Sequence, residues 1–377
     1  MIYIFLALFL YVSTLSKSTK LYTVNLVLVF IYFSSAYCFN YDWINYRNFY
    51  ENVLSDNLVQ SIIESGFEPG FVIIAYSTKL LGLDYQWVIV FLNVIVFSFF
   101  NSSIKKFHNK NIALFIFFSF FGFFLLAEQI RQAVALAIGL KAIQYYIDKK
   151  ASKFYFLTIL AILFHVSAVF LFVIMYVHKI FSRKSKPVII LIMLIAGTLA
   201  PLLFSIILQN PSFFSFYPLL AKKLAYYSNQ DLGNDSGILT PGLLPNIILL
   251  LLVCYYCLKT FGSRHSQQAL VASAFIIQSK IISLFYRFSH YGIIYFFFCF
   301  DEIFKDKKPL NLFRFFVMTI ILSFGLKPLS TELYRASVLD YQFYWTTSQD
   351  QNSMKDRKCD ILYQVYPTST YTIGTCS

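Results

Sequence analysis

Apolar runs broken only by short basic clusters constrain this chain more than any other feature. They cover 2–16, 21–38, 71–100, 112–127, 133–147, 154–178, 187–208, 243–258, 268–284, 288–300 and 310–327. Of the 377 residues, 58% are apolar and only 13% are charged. That is about half the charged share of an ordinary soluble domain, too little to cover a water-facing surface. The runs show no alternating ten-residue pattern of a membrane β-barrel. The expected fold class is therefore all-α: a polytopic helical membrane protein with roughly ten to twelve transmembrane or re-entrant helices. Residues 1–345 are read as one transmembrane domain, with outer loops 39–70 and 209–242, and 346–377 as a polar C-terminal tail. Met1–Ser16 lacks a positive n-region and a small-residue cleavage site, so it reads as an uncleaved first span.

The net charge of +13 does not point to nucleic acid, because the cations sit between apolar runs and not on a basic face with stacking residues. They form clusters at Lys17/Lys20, Lys105/Lys106/Lys110, Lys149/Lys150/Lys153, Lys179/Arg183/Lys184/Lys186, Lys259/Arg264 and Lys305/Lys307/Lys308. Such clusters mark cytoplasmic ends, so consecutive clusters must be joined by an even number of crossings. Two segments strain that parity. The run 71–100, interrupted by Lys79 and Gly82-Leu-Asp84, satisfies it only if one part lies in the interface or re-enters. The run 154–178 is too short for two spans of ~20 residues. It is either a re-entrant hairpin or one tilted span that breaks the charge rule.

This sidedness puts loops 39–70 and 209–242 outside, with the turns Glu128–Gln132 and Tyr286–Ser289 and the tail after Lys327. The polar residues worth attention collect there. Glu128, Arg131, Gln132 and Ala135 share a face at helical spacing. Arg131 is either half of an interfacial Glu128–Arg131 pair or a guanidinium presented to phosphate. Arg287 repeats the theme, beside His290 and Tyr291. His165 interrupts an apolar run and, as an intramembrane titratable group, is a candidate for proton transfer. Asp42, Tyr46 and Arg47 lie at i, i+4 and i+5. Glu68-Pro-Gly-Phe71 opens the next apolar run, with Pro and an acidic residue where a helix start favours them. Among the cysteines, Cys254 and Cys257 have CxxC spacing inside an apolar span with no second ligand pair, and Cys38 and Cys299 look like packing residues. Cys359 and Cys376 are placed to pair in an oxidising exterior. No metal site and no cofactor motif is expected.

Taken in order, Asp42…Tyr46…Tyr50, Glu68-Pro-Gly-Phe71, Ile130-Arg131-Gln132-x-x-Ala135, His165-x-Ser167-Ala168 and Arg287-x-x-x-Tyr291 resemble the EpsG-like family of bacterial polysaccharide membrane proteins. That family overlaps the Wzy-type O-antigen and capsule polymerases. The resemblance spans roughly 42–291; the region 328–377 contributes nothing to it. It implies a metal-independent glycosyltransferase in the bacterial inner membrane, without cofactor, acting on undecaprenyl-pyrophosphate-linked oligosaccharide at the outer face. Its implied companions are a flippase and a chain-length regulator, with no nucleic-acid partner. On that reading Arg131, Gln132 and Arg287 bind the donor, and Tyr46 and Tyr291 stack on sugar rings. His165, Asp42 or Glu68 assists acceptor deprotonation, in no fixed ranking. A lipid-oligosaccharide flippase, a non-catalytic subunit and an O-antigen ligase remain as alternatives.

The charge pattern makes a direct prediction. Reporter fusions at Asn52 and Ser236 should read outside, and fusions at Lys106, Lys150 and Lys307 inside; an inside signal at Ser236 would overturn the assignment of sides.

Overall fold

The computed structural model describes residues 1–181, 206, 283–305, 312–330, 332–347, 350–365 and 376. Loop 209–242, the CxxC pair and the runs from 187 to 282 lie outside the described residues. Contacts divide the chain into two compact units, one of residues 1–168 with 304–377 and one of residues 169–303. The chain is a helical membrane protein. Among the described residues there is no strand, only an isolated bridge between Ala36 and Phe343.

The first unit begins with α1 (Ile2–Ser13) and α2 (Thr19–Ser34). Short outer-loop helices follow, α3 (Asp42–Asn48) and α4 (Leu58–Glu64), with a π-helical turn Phe49–Val53 between them. Next come α5 (Pro69–Leu80), α6 (Tyr85–Ser103) and α7 (Lys110–Phe117), the last continued as a π-helix over Phe118–Glu128. The hairpin of α8 (Ile130–Ile147) and α9 (Ala151–Phe164) completes this stretch. Among the described residues, three stretches are long and apolar enough to cross a bilayer: Tyr85–Ser103, Lys110–Glu128 and Leu312–Ser330. The last contains α12 (Leu312–Leu326), which packs along the π-helical part of the second. In the other unit, α10 (Phe170–Phe181) and α11 (Ser283–Phe304) are described.

Side-chain burial follows membrane logic. Phe5, Leu8 and Val12 of α1 and Val24, Val27, Leu28 and Ile31 of α2 are exposed, an apolar surface that suits lipid. Several polar groups turn inward and find partners, as a lipid environment favours. Tyr3 donates to the Gly325 carbonyl at 2.7 Å, and Asn25 Nδ2 donates to Asn111 Oδ1 at 3.1 Å. Helix starts carry their own acceptors: Asp84 caps α6 through the Gln86 amide, and Asn109 caps α7 through the amides of Asn111 and Ile112. Gln86 in turn satisfies the end of α2, donating from Nε2 to the carbonyls of Ser34 and Ala36.

The two strained segments resolve differently. The run 71–100 is two helices, not one. Gly82, at φ +67°, makes the turn between them, where a Cβ would be strained. At 12 residues α5 is only ~18 Å long and cannot span. The Lys79 ammonium near its end donates to the Leu54 carbonyl at 2.9 Å, which ties that end to the outer loop. The run 154–178 breaks at His165, whose backbone is extended (φ −158°, ψ 123°), before a 3₁₀ turn Val166–Val169 and α10. Neither α9 nor α10 is long enough to cross alone. One expectation is corrected: Tyr286–Ser289 is not a turn between spans but lies within the continuous α11. The apolar character of Leu284–Phe288 lets the helix run through Arg287 without interruption.

The tail is ordered against the outer loop. Segment 341–344 pairs with 35–37 through Tyr37 N–H to the Gln342 carbonyl (3.0 Å) and Tyr344 N–H to the Ser35 carbonyl (2.8 Å). Tyr341 stacks on Tyr32 at 4.3 Å between ring centroids. Helix α13 (Glu332–Leu339) precedes this segment and helix α14 (Gln351–Val365) follows it, and Cys359 is disulfide-bonded to Cys376, the pair expected in an oxidising exterior.

On the re-entrant reading of 154–178, the chain reverses at the break around His165. Cysteines placed at Lys153 and Lys179 should therefore both be labelled only from the cytoplasmic side; labelling from opposite sides would make 154–178 a single crossing.

Candidate active site

Arg131 organises the site. It occupies the first turn of α8, one residue past a break at Gln129 (φ −112°, ψ 55°) where the preceding π-helix ends. The break removes Glu128 and Arg131 from a common helical face, so the expected Glu128–Arg131 pair does not form. Arg131 instead ion-pairs with Glu68, from Nη1 to Oε2, and its Nε donates to the Tyr46 hydroxyl at 3.4 Å. Three rings surround the guanidinium, with Phe67 at 4.6 Å, Tyr46 at 5.3 Å and Phe71 at 5.9 Å from its carbon to the ring centroids. Ring faces attract a cation and favour the planar guanidinium over an ammonium. The side chains of Arg131 and Glu68 keep only 20% and 17% of their exposure, so little water competes with the pair.

The stretch Phe67-Glu-Pro-Gly-Phe71 has a purpose at each position. Phe67 and Phe71 supply cage walls, and Glu68 the counter-charge. Glu68 is also the N-cap residue of α5 but makes no cap bond, its carboxylate being committed to Arg131. Pro69 starts the helix. A Cβ on Gly70 would fall 2.8 Å from the Leu163 carbonyl oxygen and 3.0 Å from the Phe164 ring, so glycine lets α5 meet the end of α9.

That contact brings His165 to the same end of the bundle. Helices α8 and α9 pack along each other, joined by Asp148–Lys150, so the end of α9 returns to the level at which α8 starts. His165 is buried, with Nδ1 2.5 Å from Ser167 Oγ and accepting the Ser167 backbone N–H at 3.3 Å. With Nδ1 an acceptor, the neutral ring carries its proton on Nε2.

Helix α3 forms the opposite wall. Its N-cap residue Tyr41 donates its backbone N–H to Glu128 Oε2 at 3.0 Å, so a carboxylate from the end of the π-helix holds the positive end of α3. Asp42, Asn45, Tyr46, Asn48 and Phe49 of this segment, with Ser65, Phe67 and Arg131, line a cavity of about 340 Å³. The lining alternates amide, carboxylate and hydroxyl groups with aromatic rings, a mixture suited to sugars. Burial raises the Tyr46 phenol above its ordinary pKa even beside Arg131, so it stays protonated. Glu68 and His165 are not lining residues. Gln132 is fully buried in α8 behind Arg131.

Of the sequence candidates, the structure thus gathers Asp42, Tyr46 and Arg131 around one cavity, pairs Glu68 with Arg131, and sets His165 at the same end. Arg287 and Tyr291 belong to α11 in the other unit, where Arg287 is half-buried and Tyr291 and His290 are buried. The cage rings Phe67 and Phe71, and the amides Asn45 and Asn48, were not singled out by sequence. Phenylalanine at i−1 and i+3 of Glu68 was the only hint. Among the described residues no group of three or more His, Cys, Asp or Glu is placed to hold a metal.

A family model covers residues 21–343 and matches the EpsG family. The chain belongs to the EpsG family. No significant match to a curated protein or to a solved structure accompanies it. EpsG membership marks a polysaccharide-related membrane protein. The match takes in the whole cavity, Arg131, His165 and Arg287, and stops before α14 and its disulfide.

Because the Glu68–Arg131 pair is largely shielded from water, removing one partner strands the other. Glu68→Ala should lower unfolding stability in detergent by about 3 kcal/mol, and the double variant Glu68→Ala/Arg131→Ala should recover part of it. Additive losses would show that the two side chains are not coupled.

Proposed function

We propose that the protein is a polysaccharide polymerase of Wzy type, acting at the outer face of the bacterial inner membrane. It would transfer a growing glycan from undecaprenyl pyrophosphate to a hydroxyl of the next lipid-linked repeat. The observation that carries this reading is Arg131: a guanidinium fixed by a carboxylate and three rings at the edge of a sugar-sized polar and aromatic cavity, in a chain of the EpsG family.

The reaction forms a bond between the acceptor oxygen and the anomeric carbon of the donor. It breaks the bond from that carbon to the pyrophosphate, which leaves with the electron pair as lipid pyrophosphate. The acceptor proton must go to a base. Asp42 suits that role best of the three candidates, because its side chain lines the cavity that Arg131 borders. Glu68, already bonded to Arg131, acts as its positioning residue. His165, at the same end of the bundle, is the alternative proton acceptor. Charge developing on the leaving pyrophosphate is met by Arg131, whose geometry is preset before substrate binds. Arg287, on α11 of the other unit, keeps its assignment to the donor from the family resemblance alone. Fixed guanidinium charge does the work that a divalent cation does elsewhere, so metal independence belongs to the proposal. Tyr46 presents an aromatic wall to a sugar ring.

A flippase would expose a polar path through both leaflets, whereas Asp42, Tyr46, Glu68, Arg131 and His165 of the first unit collect at one end. A ligase would share donor and leaving group and differ only in acceptor.

Gel analysis of surface polysaccharide tests the reading. Arg131→Lys keeps the charge but loses the two-pronged geometry and should shorten the ladder. Arg131→Ala should collapse it to a single repeat, a loss of order 10²-fold or more for one charged donor. If correctly inserted Arg131→Ala and Arg287→Ala variants both make normal polymer, the pyrophosphate assignment is wrong.

A further inference from the structure

Lys358 lies on α14, beyond the residues matched to the family, yet it is buried beneath the outer loop. Its ammonium donates to Ser337 Oγ at 3.1 Å and sits 4.9 Å from the centre of the Tyr41 ring. The neighbouring cation Arg357 is taken by Asp340 at 2.7 Å on the exposed side. Tyr41, Leu333 and Leu362 form a small apolar core around the contact, and the Tyr41 hydroxyl donates to the Leu333 carbonyl at 3.3 Å. Cys359, the next residue, closes the disulfide to Cys376, which packs against the same core.

Stability alone does not account for this lysine. Burial pushes its pKa down to about 8, against the opposing pull of Glu128, Cys38 and Asp340 and with Arg357 adding to the depression. A buried ammonium with one hydroxyl partner and a ring face costs more than an apolar side chain of the same length. The sign follows from the depressed pKa: between about 8 and the ordinary lysine value the unfolded chain binds the proton and the folded chain does not, so stability rises with pH there. Below that window the cost is fully present. What Lys358 does provide is a contact to the ring of Tyr41, whose backbone N–H is held by Glu128 at the start of α3.

We propose that Lys358 is a positioning residue for the cavity, supplied by a disulfide-pinned tail. Its ammonium, packed on the Tyr41 ring, fixes the N-cap residue of α3 and with it Asp42 and Tyr46 opposite Arg131. The tail acts through Tyr41 and touches no substrate. The inference rests on the polymerase reading for its activity arm, but not for its structural arm.

The test uses the full-length protein in lipid vesicles, comparing wild type with Lys358→Met and Lys358→Arg. Amide hydrogen exchange is followed over 41–48 and over α6 as a reference, alongside polymer formation from lipid-linked repeats. Lys358→Met should keep insertion, the Cys359–Cys376 bond and α6 protection. Exchange over 41–48 should accelerate about tenfold, the low end for losing a partner to a charged group, and polymer formation should fall in parallel. Lys358→Arg, which retains the charge, should restore much of both. Unchanged 41–48 exchange in Lys358→Met would overturn the proposal, as would faster exchange with undiminished polymer. Loss of α6 protection as well would also overturn it, since Lys358 would then be a general structural support. Absence of polymer from the wild type would instead count against the polymerase reading, leaving the exchange result to judge the clamp.

Discussion

A guanidinium among so many apolar residues needs a partner and a lining, and much of the structure around it is arranged to supply them to Arg131. The carboxylate comes from Glu68 at the start of α5, the rings from Phe67, Phe71 and Tyr46, and the hydrogen-bonding hydroxyl again from Tyr46. Each donor group comes from a segment whose path is fixed elsewhere. Gly70 lets α5 press on the end of α9, Lys79 ties the far end of α5 to the outer loop, and Glu128 grips the start of α3. Three chain segments far apart in sequence are thereby locked around one positive charge. A cation held in this way needs no reorganisation when negative charge develops beside it, which is the condition for strong electrostatic stabilisation of a leaving group.

The sequence disclosed the class of fold because lipid imposes a simple rule: apolar runs long enough to span, with cations at one end. It also disclosed Asp42 and Arg131 at the cavity, since a charged group among so many apolar residues stands out, and Tyr46 by its spacing from Asp42, but not Asn45, Asn48 or Ser65. What it did not disclose was pairing. Glu128 and Arg131, three apart, look like partners until a break at Gln129 turns the helix between them. The partner of Arg131 lies 63 positions away, and no periodicity links them. The cage phenylalanines were hidden for the opposite reason: among 44 of their kind, two more carry no signal. The helix through Arg287 was divided at a polar cluster that the backbone simply continues across.

The C-terminal segment shows how a region without family resemblance can still belong to the site. Lys355, Arg357 and Lys358 of the tail fit an outer position poorly by the charge rule. The structure buries Lys358 against Tyr41 and pairs Arg357 with Asp340, so two of the three are absorbed by local partners. Cys359 and Cys376 fit an oxidising exterior, and with the Ala36–Phe343 bridge they fasten the tail to the loop that carries Asp42 and Tyr46.

The central claim is that Arg131 promotes departure of lipid pyrophosphate as a glycosidic bond forms. Purified protein in vesicles, given undecaprenyl-pyrophosphate-linked repeats, tests it by counting pyrophosphate lipid released against linkages made. The account predicts one release per linkage in the wild type and neither in a folded Arg131→Ala variant. Movement of the lipid-linked repeat across the bilayer without release, or equal release from the variant, would contradict it.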